Sequence, residues 1–246
     1  MKTKSYGLLV LLVSSLGAGC SNTLSNSAES GKASDYYTQL GVGYLQKGRI
    51  DLASMNLEKA IKESPSSSAA HHYYALLQQR LGNNDLARQH FQKALKLNNK
   101  DSELLNNYGS FLCHNTQYDQ AEAAFLAALR DPLYKTPEFA YTNAGVCIGK
   151  KGDKARAEEY FRQALQANAN FPDALYHMAK LNYEKGNNAK AQAFLYRYND
   201  AAPANPDGLL LCYQIQTAMN ETTAAKNCAA NLQAQYPDSQ AASQLN

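Results

Sequence analysis

The residues best equipped for chemistry in this sequence are its five cysteines and five histidines. Cys20 stands alone near the N-terminus. Cys113, Cys147, Cys212 and Cys228 form an even set, which suggests disulfides in an oxidising compartment and allows three pairings. The alternative is four buried thiols, since free cysteine is among the most buried residue types. No close Cys or His pairs have the spacing of zinc ligands, so no metal is expected. His71 and His72 are adjacent and would point to different faces of a helix. His90, His114 and His177 are scattered singly, and a lone helical histidine more often packs or lies on the surface than catalyses. Glu158-Glu159 reads as a solvated pair on an exposed face. There is no Gly-rich phosphate loop, no His-Glu-x-x-His and no nucleophile elbow. These residues predict a protein that is not an enzyme, has no cofactor and takes no small-molecule substrate.

The elements that position these residues recur. From Tyr108 to Ala128 the sequence runs Tyr108-Gly109, a polar break from His114 to Gln117, then Ala121, Phe125 and Ala128, followed by Asp131-Pro132. About 34 residues later come Gly145, Gly152, Ala157, Phe161 and Ala164; about 34 earlier come Gly82, Ala87, Phe91 and Ala94. That period, with small, aromatic and small residues in its second half, is the tetratricopeptide (TPR) signature. A small residue at position eight of each repeat lets two helices approach, and the large residue at position twenty-four fills the space between them. Gly48, Gly82, Gly152 and Gly186 fall at the turn, with Asn220 there in a degenerate last repeat. Pro65, Pro203 and Pro237 stop second helices or open the next repeat. The expected fold is all-α, a TPR superhelical solenoid of six helix-turn-helix repeats: 34–67, 68–101, 102–137, 138–171, 172–205 and 206–239. Pro132 to Pro137 adds two residues to the period. The polar tail 240–246 is expected to fray.

Repeat geometry then chooses among the cysteine pairings. Cys113 and Cys147 fall near the ends of first helices in adjacent repeats, which lie side by side. Cys212 and Cys228 are on the two helices of repeat six, at similar distance from its turn. Cys113–Cys147 and Cys212–Cys228 are the expected bridges.

Residues 1–19 read as a secretory signal. Lys2 and Lys4 form a basic start, and Leu8 to Val13 is an apolar run far shorter than a membrane span. Gly17, Ala18 and Gly19 lead to Cys20, as in a bacterial lipobox whose cysteine is lipidated, although Leu16 sits four rather than three residues before it. Ser21, in place of the Asp common in inner-membrane lipoproteins, directs the expected address to the outer membrane. Cleavage before Cys20 lowers the formal net charge from +3 to about +1. With no basic run, that excludes an electrostatic case for nucleic acid. The Ser- and Asn-rich segment 20–33 is expected to be a flexible tether spanning about 20 Å.

A repeat array of this kind holds a peptide or helix against first-helix positions two, five, nine, twelve and thirteen. Those positions give His72, Leu76, Gln79 and Arg80 in repeat two, and Asn106, Ser110 and His114 in repeat three. Repeat four gives Phe139, Thr142, Val146 and Lys150; repeat five gives Tyr176, Lys180 and Tyr183. The Lys/Asn set that clamps a C-terminal carboxylate in chaperone-binding TPR proteins is absent, so an amphipathic or extended segment is the expected partner. The same aromatics can instead pack between repeats.

Several runs go beyond the generic repeat pattern: Leu105-Asn106-Asn107-Tyr108-Gly109-Ser110-Phe111-Leu112-Cys113, Asp131-Pro132-Leu133-Tyr134, Asn143-Ala144-Gly145-Val146-Cys147, Tyr160-Phe161-Arg162-Gln163-Ala164-Leu165 and Phe194-Leu195-Tyr196-Arg197-Tyr198. With the lipoprotein signal and six repeats they resemble the PilF/PilW family of type IV pilus biogenesis lipoproteins. The shifted lipobox and degenerate last repeat depart from that pattern. The resemblance implies a pilotin on the inner leaflet of the outer membrane that binds pilus secretin subunits and promotes their assembly, with the repeats near the N-terminus as the secretin-binding part. The competing class is a general envelope scaffold for cell-wall enzymes.

Overall fold

The structure, a computed structural model, describes residues 21–245. The signal segment 1–19, Cys20 and Asn246 lie outside the described residues. Twelve α-helices and one short 3-10 helix make up the described chain, with no strand among the described residues. The helices pair as α1 (Ser21–Gln46) with α2 (Ile50–Glu63), α3 (Ser68–Arg80) with α4 (Asn84–Leu97), and α5 (Ser102–His114) with α6 (Tyr118–Ala128). The remaining pairs are α7 (Pro137–Lys151) with α8 (Lys154–Ala167), α9 (Pro172–Glu184) with α10 (Asn188–Ala201), and α11 (Pro206–Ala218) with α12 (Thr222–Gln235). The chain divides into two compact units, Met1–Tyr74 and Ala75–Asn246.

The six turns share one construction. Position fifteen is left-handed at Gly48 (φ 71°), Gly82 (80°), Gly152 (103°) and Gly186 (74°), and also at Thr116 (59°) and Asn220 (61°). In each, the amide of that residue donates to the carbonyl three residues back and the next amide to the carbonyl five before it: Gly82 to Gln79 at 3.0 Å and Asn83 to Gln78 at 2.9 Å, Thr116 to Cys113 at 3.1 Å and Gln117 to Leu112 at 2.9 Å. This is the Schellman pattern, which satisfies the last carbonyls of a helix before the chain reverses. Helix starts are marked too: Asp101, Asp153 and Asn205 accept from the amides of Leu104, Arg156 and Gly208, and Pro137, Pro172 and Pro206 occupy the first turn, where no amide is needed.

Within each helix pair, position eight meets position twenty-four. A Cβ on Gly41 would lie 2.6 Å from Leu57, one on Gly109 2.6 Å from the Phe125 ring, and one on Gly145 2.5 Å from the Phe161 ring. All three large side chains are buried. Ser34 Oγ donates to the carbonyl of Ala60 and Ser102 Oγ to that of Ala128, the same position in two repeats. In the second unit each helix packs on its successor from α4 to α12, and the first helices α5, α7, α9 and α11 also touch in series. Phe91, Phe111 and Phe125 anchor one core there, and Leu175, Leu195 and Ile215 another.

Two expectations are corrected. Segment 21–33 is helical, because α1 begins at Ser21. Adding residues to a formed helix costs less than starting one, and Ala28, Glu29, Lys32 and Ala33 are acceptable helix formers. At 1.5 Å per residue it spans about 20 Å, so the reach stays and the stiffness differs. The tail does not fray. It forms a 3-10 helix, Ala242–Leu245, and buries Ala241 and Ala242 against Leu210 and Leu232. A terminal repeat has no successor to cover its apolar face, and the tail takes that place.

The interruption between repeats three and four is also visible. Helix α6 has 11 residues where α4 and α8 have 14. The loop 129–136 carries Leu133 at 83% exposure and is turned by the Leu133 amide bonding to Asp131 Oδ1 at 2.9 Å.

Candidate protein-binding groove

First helices of the second unit leave three concavities on the expected groove positions. One, of about 540 Å³, is lined by Leu76, Gln79, Arg80 and His114, with Gly82, Asn84 and Asn115. A second, of about 260 Å³, brings Val146, Lys150 and Lys180 together over a floor of Ala157, Phe161 and Leu181. A third, of about 330 Å³, gathers Tyr176, Lys180 and Tyr183 with Asp207, Leu210 and Leu211. Lys180 borders the second and third, so repeats four to six present one continuous lining of aliphatic, aromatic and charged groups.

Five groove candidates do not line it, three of them through burial. His72, Asn106 and Thr142 are buried. All three occupy position five of their repeats. In repeat three that position faces the seam between adjacent first helices: Asn143 Nδ2 donates to Asn106 Oδ1 at 3.0 Å across it. His72 stacks on Tyr73 with ring centroids 4.7 Å apart. Ser110 is half-buried and its hydroxyl donates to the Asn106 carbonyl at 3.2 Å, so it is tied into α5. Phe139 is 44% exposed but sits edge-on to Phe171, the last residue of repeat four, at 4.7 Å rather than in any of the three concavities.

Electrostatics favour apolar contact with charged rims. His177 lies flat on Phe161, ring centroids 5.2 Å apart. Burial first, then Lys180 and Lys150, push its pKa down to about 4, so it is neutral at physiological pH and extends the apolar floor. Burial likewise raises the Tyr176 hydroxyl to about 12, with Asp207 and Tyr198 adding to it. Lys154 pairs with Glu184 at 2.6 Å along one edge. Lys150 and Lys180 remain as exposed cations beside the floor. The arrangement can hold a segment that offers an apolar side chain to the floor and a carboxylate to the lysines.

Sequence reasoning missed some lining residues. Glu184 occupies position thirteen, as Arg80, His114 and Lys150 do, and that register could have found it. His177 is one residue beyond position five, and Gln244 comes from the tail; no sequence signal marked either. Glu158 is not solvated: it is half-buried and bonds both Lys185 and Arg162, with Lys185 as the first cause of a lowered pKa. Among the described residues no group of three or more His, Cys, Asp or Glu is placed to hold a metal ion. The structure pairs Cys113 with Cys147 (Cα–Cα 5.7 Å) and Cys212 with Cys228 (5.9 Å), distances that disulfides use.

Comparison with known proteins matches this geometry. Tetratricopeptide-repeat family models match residues 38–102, 90–123 and 150–203. The type IV pilus assembly protein PilF of Pseudomonas aeruginosa is 31% identical over 232 residues, covering 94% of this chain and 92% of that protein. A solved structure of Pseudomonas aeruginosa PilF superposes with a TM-score of 0.78 at 30% identity, over 88% of this chain and 98% of that one. The crystal structure of PilW, described as a widely conserved type IV pilus biogenesis factor, gives 0.79 at 32% identity, over 86% and 97%.

Proposed function

Because this chain belongs to the PilF/PilW family of tetratricopeptide-repeat proteins of type IV pilus biogenesis, we propose that it is a pilotin. It binds subunits of the pilus secretin and promotes their delivery to, and assembly in, the outer membrane. The observation that carries this reading is the match to PilF along nearly the whole of both chains, joined to a groove shaped for a protein segment rather than for a reaction.

The mechanism is non-covalent. A lipid on Cys20 supplies membrane affinity, marginal for one acyl chain and durable for several. In this reading the secretin segment lies on repeats four and five rather than on the N-terminal repeats that the family resemblance implies, with its apolar side chains over Phe161 and His177 and its carboxylates at Lys150 and Lys180. Tethering then raises the local concentration of secretin at the membrane without any further contact.

The test is deletion of the gene in the native organism, followed by probing membranes for the heat-resistant secretin multimer. The multimer is expected to vanish while monomer persists. A copy with Cys20 intact restores it; Cys20→Ala and the double variant Lys150→Glu, Lys180→Glu do not. An unchanged multimer with normal pili overturns the pilotin reading and leaves a general envelope scaffold, whose partners a pull-down would identify.

A further inference from the structure

The backbones of second helices in successive repeats stand apart: α6 and α8, and likewise α8 and α10, bring no Cα atoms within 8 Å of each other. The two gaps are finished differently. Across the first, Glu122 at position twenty-one is buried, accepts the hydroxyl of Tyr160 and pairs with Arg156 at 2.8 Å. One carboxylate thus ties α6 to positions nineteen and twenty-three of α8. Across the second gap the same three positions hold Glu158, Lys190 and Phe194. Phe194 has no hydroxyl to give, and Glu158 bonds Lys185 and Arg162 instead. The latch that closes one gap is missing from the next.

What remains is a concavity of about 640 Å³ between α8 and α10, floored by α9. Leu165, Met178 and Phe194 form its apolar base, buried or half-buried. Arg162, Lys185, Lys190 and Arg197 stand around it with Glu158 as the one carboxylate. Lys190 makes no ion pair among the described residues. The Arg197 guanidinium is held over the Phe194 ring, 5.8 Å from its centroid, by a 2.6 Å bond to the Ala169 carbonyl.

We propose that the gap between α8 and α10 is a second docking surface, separate from the first-helix groove, for an acidic protein segment bearing an apolar anchor. The anchor enters where Tyr160 and Glu122 close the neighbouring gap, and its flanking carboxylates meet Lys190, Lys185 and Arg197. Charge complementarity selects this occupant: four cations face one carboxylate that two of them already neutralise. The recessed floor selects a peptide over a lipid surface, because a side chain reaches between two helices and a planar bilayer does not.

The test uses the mature chain and a labelled synthetic peptide in which Phe and Leu are flanked by Asp and Glu, followed by fluorescence anisotropy at low and high salt. The peptide is expected to bind, to weaken with salt, and to lose binding when its acids are replaced by Lys. Lys190→Glu and Arg197→Glu, both at exposed residues, should each weaken it about tenfold. Phe194→Tyr should weaken it too, by offering Glu158 the hydroxyl that Glu122 has from Tyr160. Because the first-helix groove offers the same chemistry, binding is also read in the Lys150→Glu, Lys180→Glu background, where it should persist and still be lost on adding Lys190→Glu. The proposal is overturned if the peptide does not bind, if the Lys150→Glu, Lys180→Glu background removes binding while Lys190→Glu does not, or if phosphatidylglycerol vesicles bind through Lys190 and displace the peptide. None of these readouts depends on the secretin multimer.

Discussion

Thr116→Gly is expected to stabilise the protein. Thr116 holds position fifteen of repeat three at φ 59°, where four other repeats place Gly. Its side chain is exposed, so removing it costs no packing. The amide bonds of Thr116 and Gln117 have the lengths found at Gly82 and Asn83, within about 0.1 Å, so the turn needs no rebuilding. A left-handed conformation costs an L-residue about 1–2 kcal/mol, and more for a β-branched one. Against that, glycine adds about 0.5–1 kcal/mol of unfolded-state entropy. The net gain is about 0.5–1 kcal/mol. Urea unfolding followed by far-UV circular dichroism should show a higher midpoint with an unchanged slope. Asn220→Gly, from a residue that tolerates this conformation, should gain only a few tenths of a kcal/mol. Gly82→Thr should lose what Thr116→Gly gains. A lower midpoint for Thr116→Gly, or a gain at Asn220 equal to that at Thr116, would refute the assignment of strain to this turn.

Replacing both Cys113 and Cys147 by Ser should cost about 4 kcal/mol, and replacing Cys212 with Cys228 about 3 kcal/mol, from loops of 34 and 16 residues. Intact mass with and without reductant establishes whether each bridge forms, and oxidised protein with four free thiols would refute both pairings. Since the His177 pKa lies near 4 in the fold against 6.5 ordinarily, the unfolded chain takes up a proton that the folded chain refuses as pH falls through that window. Stability should therefore be flat in this group above 6.5 and decline by up to roughly 3 kcal/mol toward pH 4, and His177→Leu should remove that part of the slope in urea titrations. Gly145→Val should destabilise by about 3 kcal/mol, because the Phe161 ring stands 2.5 Å from the new Cβ. Gly43→Ala, with nothing within 4 Å, should stabilise by about 1 kcal/mol, a contrast that thermal melts of the two variants can check.

The repeat period was legible because its carriers are local: a small residue at position eight, a large one at twenty-four, a left-handed residue at fifteen. Even Asn220 stood out, since the register isolates it. Thr116 was hidden within a polar run, because nothing in its chemistry asks for a left-handed turn and only the fold imposes one. The groove was legible in part. Positions nine and thirteen face it, as Leu76, Val146, Lys150 and Lys180 show. Position five was misread in repeats two to four, though Tyr176 at the same position of repeat five does line the groove, because its exposure depends on how closely neighbouring first helices approach, a tertiary quantity that a register cannot supply. Glu122 was missed for a related reason: a carboxylate on a second helix reads as solvated until the hydroxyl of Tyr160 and the guanidinium of Arg156 are found waiting in the next repeat. The tail was misread because its few apolar atoms looked insufficient alone, whereas Ala241 and Ala242 needed only to cover one face of repeat six.

The Cys113–Cys147 bridge bears on how the molecule would answer a pull. A chain anchored at one end and loaded at the other passes tension through its backbone in series. With that bridge closed, 34 residues are removed from the load path, about 115 Å of contour at about 3.4 Å per residue. The loop 129–136, where the period is interrupted, falls inside the protected length. The Cys212–Cys228 bridge, once closed, would hide a further 16 residues in the last repeat. The unit Met1–Tyr74 has no such bypass among its described residues. Under load the first helix pair can pay out its full length as a fuse, while the bridged segments of repeats three, four and six cannot lengthen by theirs.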